Sequence, residues 1–303
     1  VTTIPTSPGV SKSKAGASPL HPDNILMRRL HSLTGVVPIG VFLIAHLTTN
    51  SSIVWGKWGL RAEGAPYSVT DGGVAYFWKE VLWINEQIPH LLLVEIALWL
   101  SIAFHSILGV YYARSGRANT DRYPFQDNWR YSLQRLTGYF GIFYIFYHVA
   151  TLRWGWTFLI PPFDGSIQWS HTASASTLAA ALRGGYEGIT FWGLLVSLFY
   201  FLGVTALVFH FANGLWTAAI TWGLTVSAKA QRRWGVACAG LGVALMAMGW
   251  MSVVKFATLD PAKAAAVESK LLETREPGQA VSPAKAMKDT GAITGTTNVR
   301  ASP

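Results

Sequence analysis

Four histidines, His46, His105, His148 and His210, each lie inside a different apolar stretch of this 303-residue chain. An ionisable side chain in the core of a bilayer is costly, faces the bundle interior and needs a partner. No comparable set of acids accompanies these four, which suggests two ligand pairs. Neutral imidazole is a ready metal ligand, and two opposed helices can clamp a flat macrocycle between them. The chemistry on offer is electron transfer through two bis-histidine haems. The single cysteine, Cys238, excludes an internal disulfide, a paired-thiol redox motif and covalent c-type attachment. A haem here would be b-type, held by side-chain ligands and packing. Cys238 itself reads as a small core residue.

The elements that must position these histidines are membrane helices. Apolar residues make up 51% of the chain and charged residues 13%, a balance that points to a membrane class. Five stretches approach the ~20 apolar residues that a bilayer core demands: 30–55, 89–112, 131–154, 189–217 and 236–256. The expected fold is an all-α membrane protein, five transmembrane helices forming a bundle around two stacked b-type haems. That domain covers residues 27–257. A disordered N-terminal tail (1–26), without the apolar core of a signal peptide, precedes it. A polar, mostly disordered C-terminal tail (258–303) follows, in which AKAAAVESKLLE could form a short helix. Two long loops, 56–88 and 155–188, complete the chain.

Orientation follows from the basic residues. Arg28 and Arg29 precede the first stretch; Arg114, Arg117, Arg122 and Arg130 separate the second and third; Lys229, Arg232 and Arg233 separate the fourth and fifth. By the positive-inside rule the N-terminus and these two loops are cytoplasmic and the C-terminus lies outside. The net charge of +9 thus points to lipid phosphates, haem propionates and acidic neighbouring subunits rather than to nucleic acid.

Depth sorts the histidines into pairs. Each helical residue rises about 1.5 Å, so His46, 17 residues after Arg29, lies roughly 25 Å from the inner face. His148 reaches a similar level on the third stretch. His105 lies roughly 14 Å from the inner face, nine residues before Arg114, and His210 sits in the inner part of the fourth stretch. The pairing is His46 with His148 outside and His105 with His210 inside. Gly35, Gly109, Gly141, Gly203 and Gly214 share helical faces with these histidines. They would clear space for a macrocycle or allow close helix packing. His21 and His171 read as solvated.

The segments RRLHSLTGVVPIGVFLIAHL (28–47), FHSILGVYYA (104–113), LQRLTGYFGIFYIFYHV (133–149) and FHFANGLWTAAITWG (209–223) resemble the di-haem cytochrome b subunit of type-B succinate:quinone oxidoreductases. The resemblance extends over about residues 27–255. It implies an inner-membrane, multi-pass subunit with two haem b groups, His105 and His210 on the inner one, His46 and His148 on the outer one. It also implies a flavoprotein and an iron–sulfur subunit on the cytoplasmic side. Electrons would pass through both haems to quinone, with menaquinone the favoured type, near the outer face. His31, Ser32 and Tyr131 would contact inner-haem propionates. Arg28, Arg29 and Arg135 join them on physical grounds, since guanidinium pairs well with carboxylate. Positive-inside topology explains surface arginines at a helix mouth equally well.

Quinone reduction consumes protons, so the outer site needs a proton-exchanging group. Glu80, Glu86 and His90 precede the second stretch on the outer side, and Glu80, in KEVLWINE, is the nearest match to an acid that serves quinone in relatives. Glu95 reads as a deeper hydrogen-bonding residue. Some fumarate reductases carry a glutamate two residues before the final haem histidine; here that position is Val208. This departure leans towards succinate oxidation. The alternatives are a quinol:fumarate reductase running in reverse, a cytochrome b of another quinone-linked dehydrogenase, or a haem-free transporter or scaffold.

Overall fold

The computed structural model of the chain describes residues 21–62, 71–115 and 126–275. Arg117, Arg122, and the outer parts of both expected tails lie outside them. Helix α1 (Ile25–Thr34) starts at Asn24, whose side chain accepts the Leu26 N–H at 2.8 Å. It continues through a π-helical stretch (Gly35–Gly40) into α2 (Val41–Ala62). Pro38 lies in that stretch. Proline lacks an N–H and its ring crowds the preceding turn, and the wider turn accommodates both without ending the helix. Gly35 and Gly40 bring neighbouring helices close. A Cβ at Gly35 would stand 2.5 Å from the His105 ring, and one at Gly40 would overlap the Phe211 ring.

Helices α4 (Leu91–Ser115), α5 (Gln126–Leu152), α7 (Phe191–Thr221) and α8 (Ala228–Thr258) complete the bundle. Among the described residues, four stretches are long and apolar enough to cross a membrane: Ile25–Gly59, α4, α7 and α8. The sequence pattern suggests a fifth, α5. At 27 residues α5 is long enough, but Gln134, Arg135, Tyr139, Tyr144 and Tyr147 lower its hydropathy. It packs along α7 between the apolar helices. Cys238 is buried, as a core residue should be.

The regions expected to be loops fold into a helical cap. Helix α3 (Asp71–Gln87) doubles back on α2, and two glycines make the approach possible. A Cβ at Gly73 would overlap the Ile53 carbonyl oxygen. Helix α6 (Ser174–Arg183) is buried from Ser174 to Leu182 and ends at Gly184, in the left-handed region at φ 72°. The short helix expected in AKAAAVESKLLE is present: Pro261–Arg275 form α9 against α3 and α6, so the segment from 258 is ordered as far as Arg275 rather than mostly disordered there. Leu271 joins Ala75, Trp78 and Leu82 in a small apolar cluster. Glu268 of α9 is fully buried at the start of α6, accepting the Ala175 N–H at 2.7 Å and the Ser176 hydroxyl at 2.6 Å. Burial pushes its pKa up to about 7, opposed by these hydrogen bonds.

Candidate haem-ligand site

The four helices that carry histidines bring them face to face in two places. At the end of the bundle bearing Arg28, Arg29 and Arg114, the basic end, the His105 and His210 ring centres are 6.1 Å apart at 79°. Towards the cap, His46 and His148 are 5.6 Å apart at 84°. A metal–imidazole bond is about 2 Å long. Two imidazoles sharing one ion between them therefore have ring centres roughly 6 Å apart. Each pair has the separation, and each lacks other ligands: among the described residues no group of three or more His, Cys, Asp or Glu is placed to hold a metal ion. Two imidazole nitrogens would complete a metal site only where a bound macrocycle supplied the remaining ligands.

Hydrogen bonding fixes the tautomer at the basic end. His105 Nδ1 lies 2.9 Å from the His31 carbonyl oxygen, and His210 Nδ1 lies 3.0 Å from that of Gln134. A carbonyl only accepts, so both Nδ1 atoms carry hydrogen and both Nε2 atoms keep the lone pair that binds a metal. The Thr137 hydroxyl stands 3.4 Å from His210 Nδ1. Around this pair runs a polar chain: Arg130 donates to Asn213, Asn213 to Gln134, and Gln134 to the His210 carbonyl, over 2.9, 2.8 and 3.1 Å.

The residues expected at the propionates gather at the same end. His31 stacks on His105, centres 4.1 Å apart at 14°, with its Nδ1 buried and lacking a hydrogen-bond partner. Ser32 accepts the Trp222 indole N–H at 2.8 Å. Arg28 lies over Tyr112 and 3.6 Å from Asp23, and Arg29 over Trp222. Arg135 donates to the Tyr131 hydroxyl and lies over its ring. The glycines mostly serve packing: Gly141 faces Leu207, Gly203 faces the Tyr144 ring, and Gly35 faces His105 rather than the His46 level. Gly138 is not singled out by the sequence pattern, yet a Cβ there would meet the His210 ring at 3.0 Å.

The three proton-site candidates have different surroundings. Glu80 turns towards α2, beside Thr49 and Ser52 and near Tyr76. Burial raises its pKa against the lowering effect of those hydroxyls, and its Oε2 is buried without a hydrogen-bond partner. Thr49 is three residues beyond His46, so Glu80 lies about one turn past the cap-end pair. Glu86 pairs with Arg275 of α9, which holds its carboxyl below the usual range. His90 is exposed in the turn before α4, in the left-handed region at φ 58°. Glu95 forms an ion pair with Arg153 at 2.7 Å.

No protein-family model matches the chain, and no solved structure matches it. The chain is similar to the succinate dehydrogenase cytochrome b558 subunit of Bacillus subtilis (strain 168), at 31% identity over 206 residues, 68% of this chain and 83% of that protein.

Proposed function

The chain belongs to the type-B succinate dehydrogenase cytochrome b subunits, and from that premise we propose that it binds two b-type haems and delivers electrons to quinone. It is a multi-pass membrane subunit. His105 and His210 would hold one haem, and His46 and His148 the other. When bound, the two haems supply a one-electron relay between an iron–sulfur partner and quinone. The observation that carries this reading is the pair of opposed imidazole couples, one with both Nδ1–H groups committed to backbone carbonyls.

The residues of the chain have separable tasks in this reading. The His31 and Gln134 carbonyls orient the basic-end imidazoles, and His31, Ser32, Tyr131, Arg28, Arg29 and Arg135 offer donors to propionates. The α5 helix acts as the fifth span, supported by its length and by His148 facing His46. The basic end faces the cytoplasm, where the flavoprotein and iron–sulfur subunits dock, and the C-terminus lies outside. Quinone, with menaquinone the favoured type, is reduced near the cap. Glu80, with its raised pKa and unpartnered oxygen, holds a proton for it there. Glu86 and His90 are secondary candidates. Val208, fully buried, leaves no titratable group two residues before His210, which favours succinate oxidation over the reverse reaction.

The test uses the purified whole complex. Glu80→Gln is expected to lower quinone reduction by about 10²-fold or more, with haem content and dye-linked succinate oxidation unchanged. Wild-type quinone reduction in that variant would remove Glu80 from the site, and a wild-type complex without haem would overturn the reading as a whole.

A further inference from the structure

Helix α4 carries Glu95, Trp99 and His105. Of its 25 residues only Leu108 is buried. It packs on α1 and the π-helical stretch and makes few contacts with α5. Towards the cap, two side-chain bridges tie α4 to the turn that follows α5. Glu95 pairs with Arg153 at 2.7 Å, and Trp99 stacks on Trp154 with centres 5.4 Å apart at 29°. Phe146 and Trp156 pack on Trp154 from the α5 side.

Position gives these bridges their meaning. Arg153 follows His148 by five residues, or roughly 7.5 Å of rise. Glu95 precedes His105 by ten residues, roughly 15 Å along α4. The ion pair therefore lies just beyond the His46–His148 level, on the side of the bundle where α4 meets α5. The pair stands at the ends of both helices, Arg153 one residue past α5 and Glu95 near the start of α4, with Arg153 half exposed. Leu92, Leu93, Ile96 and Leu100 of α4 are exposed around it. A lipophilic quinone that reaches the cap-end histidines from the surrounding hydrocarbon on this side of the bundle would pass this seam.

We propose that Glu95 and Arg153, braced by Trp99 on Trp154, are positioning residues that clasp the α4–α5 seam and control quinone access to the cap-end pair. This inference rests on the quinone-reducing function proposed above. The clasp touches no iron ligand, so breaking it alters access and leaves haem binding intact.

The experiment uses the whole complex reconstituted in lipid, with a lipophilic naphthoquinone as acceptor. Glu95→Gln and Arg153→Gln are each expected to shift the KM for the naphthoquinone several-fold. Both haem spectra and dye-linked succinate oxidation stay at wild-type values. Arg153→Lys, which keeps the charge, is expected to retain the wild-type KM. An unchanged KM in both Gln variants would overturn the clasp. Loss of a haem spectrum in them would also overturn it, because the pair would then be support for the ligands. Absence of haem from the wild-type complex would instead remove the underlying function, so the two failures are distinguishable.

Discussion

At the basic end, His105 and His210 each donate Nδ1–H to a backbone carbonyl on a neighbouring helix. At the cap end, His148 has a buried Nδ1 with no hydrogen-bond partner, and His46 sits against Phe42 and His148. Tyr144 and Tyr200 flank His148 through ring contacts. One pair is oriented by backbone geometry that survives side-chain substitution. The other is oriented by side-chain packing, with the cap lying beyond it. The difference locates sensitivity. The basic-end pair should respond to steric intrusion along the helices that touch it, and the cap-end pair to anything that loosens α3, α6 and α9.

The largest effect should come from double variants that respect or cross the pairs. His46→Ala with His148→Ala is expected to leave about half of the haem. His46→Ala with His210→Ala is expected to abolish it, as read by haem extraction and quantification. Equal residual haem in both doubles would break the two-pair arrangement.

The cap should be sensitive to Glu268, whose loss strands the buried Ala175 and Ser176 N–H groups at about 1–3 kcal/mol each. Glu268→Ala is expected to speed hydrogen exchange at those amides and to lower quinone reduction more than haem content. The pH dependence has a definite sign. The folded-state pKa of Glu268 is raised from its ordinary 4.5 to about 7, so its proton-linked stabilisation is full below about 4.5 and lost as pH rises through about 7. Glu268→Gln should flatten this part of the pH dependence of α6 protection. An unchanged profile would detach Glu268 from the cap.

Smaller effects test the basic end. Gly35→Ala pushes a methyl group against the His105 ring, an overpacking cost of about 1–3 kcal/mol. It should turn part of the haem at that end high-spin, with the other spectrum unchanged. Gly141→Ala, against the flexible Leu207 side chain, should do less. Smallest is Thr137→Val, which removes a long contact to His210 already secured by the Gln134 carbonyl; a slight potential shift without loss of haem is expected from redox titration. A large loss would mean that the carbonyl does not set the ring.

The histidines and their apolar helices were legible in the sequence, because an ionisable residue inside a long hydrophobic run is too costly to be incidental. Of the cap, α9 was legible in AKAAAVESKLLE, whereas α3 and α6 were not. Helix α3 carries Gly72 and Gly73 in its first turn, which read as loop residues yet allow its backbone to lie on Lys57 and Ile53. Helix α6 is short and rich in Ser and Ala, and it is stable as a helix because it is buried and capped by a carboxylate from α9, 92 or 93 residues away in the chain. No local pattern carries that contact. Glycine spacing misleads for a related reason: shared faces are visible, but the neighbours that fill them, such as Tyr144 at Gly203, depend on helix packing. The α5 helix shows the converse, since His148 places it in the bundle where hydropathy is weak.

The most direct measurement is an optical redox titration of the whole complex carrying His148→Ala, set beside one carrying His210→Ala. Two bis-histidine haems on separate pairs predict two low-spin b-type transitions in the wild type, with a different one lost or converted to high spin in each variant. Loss of the same transition in both variants, or survival of both transitions in either, would contradict the account.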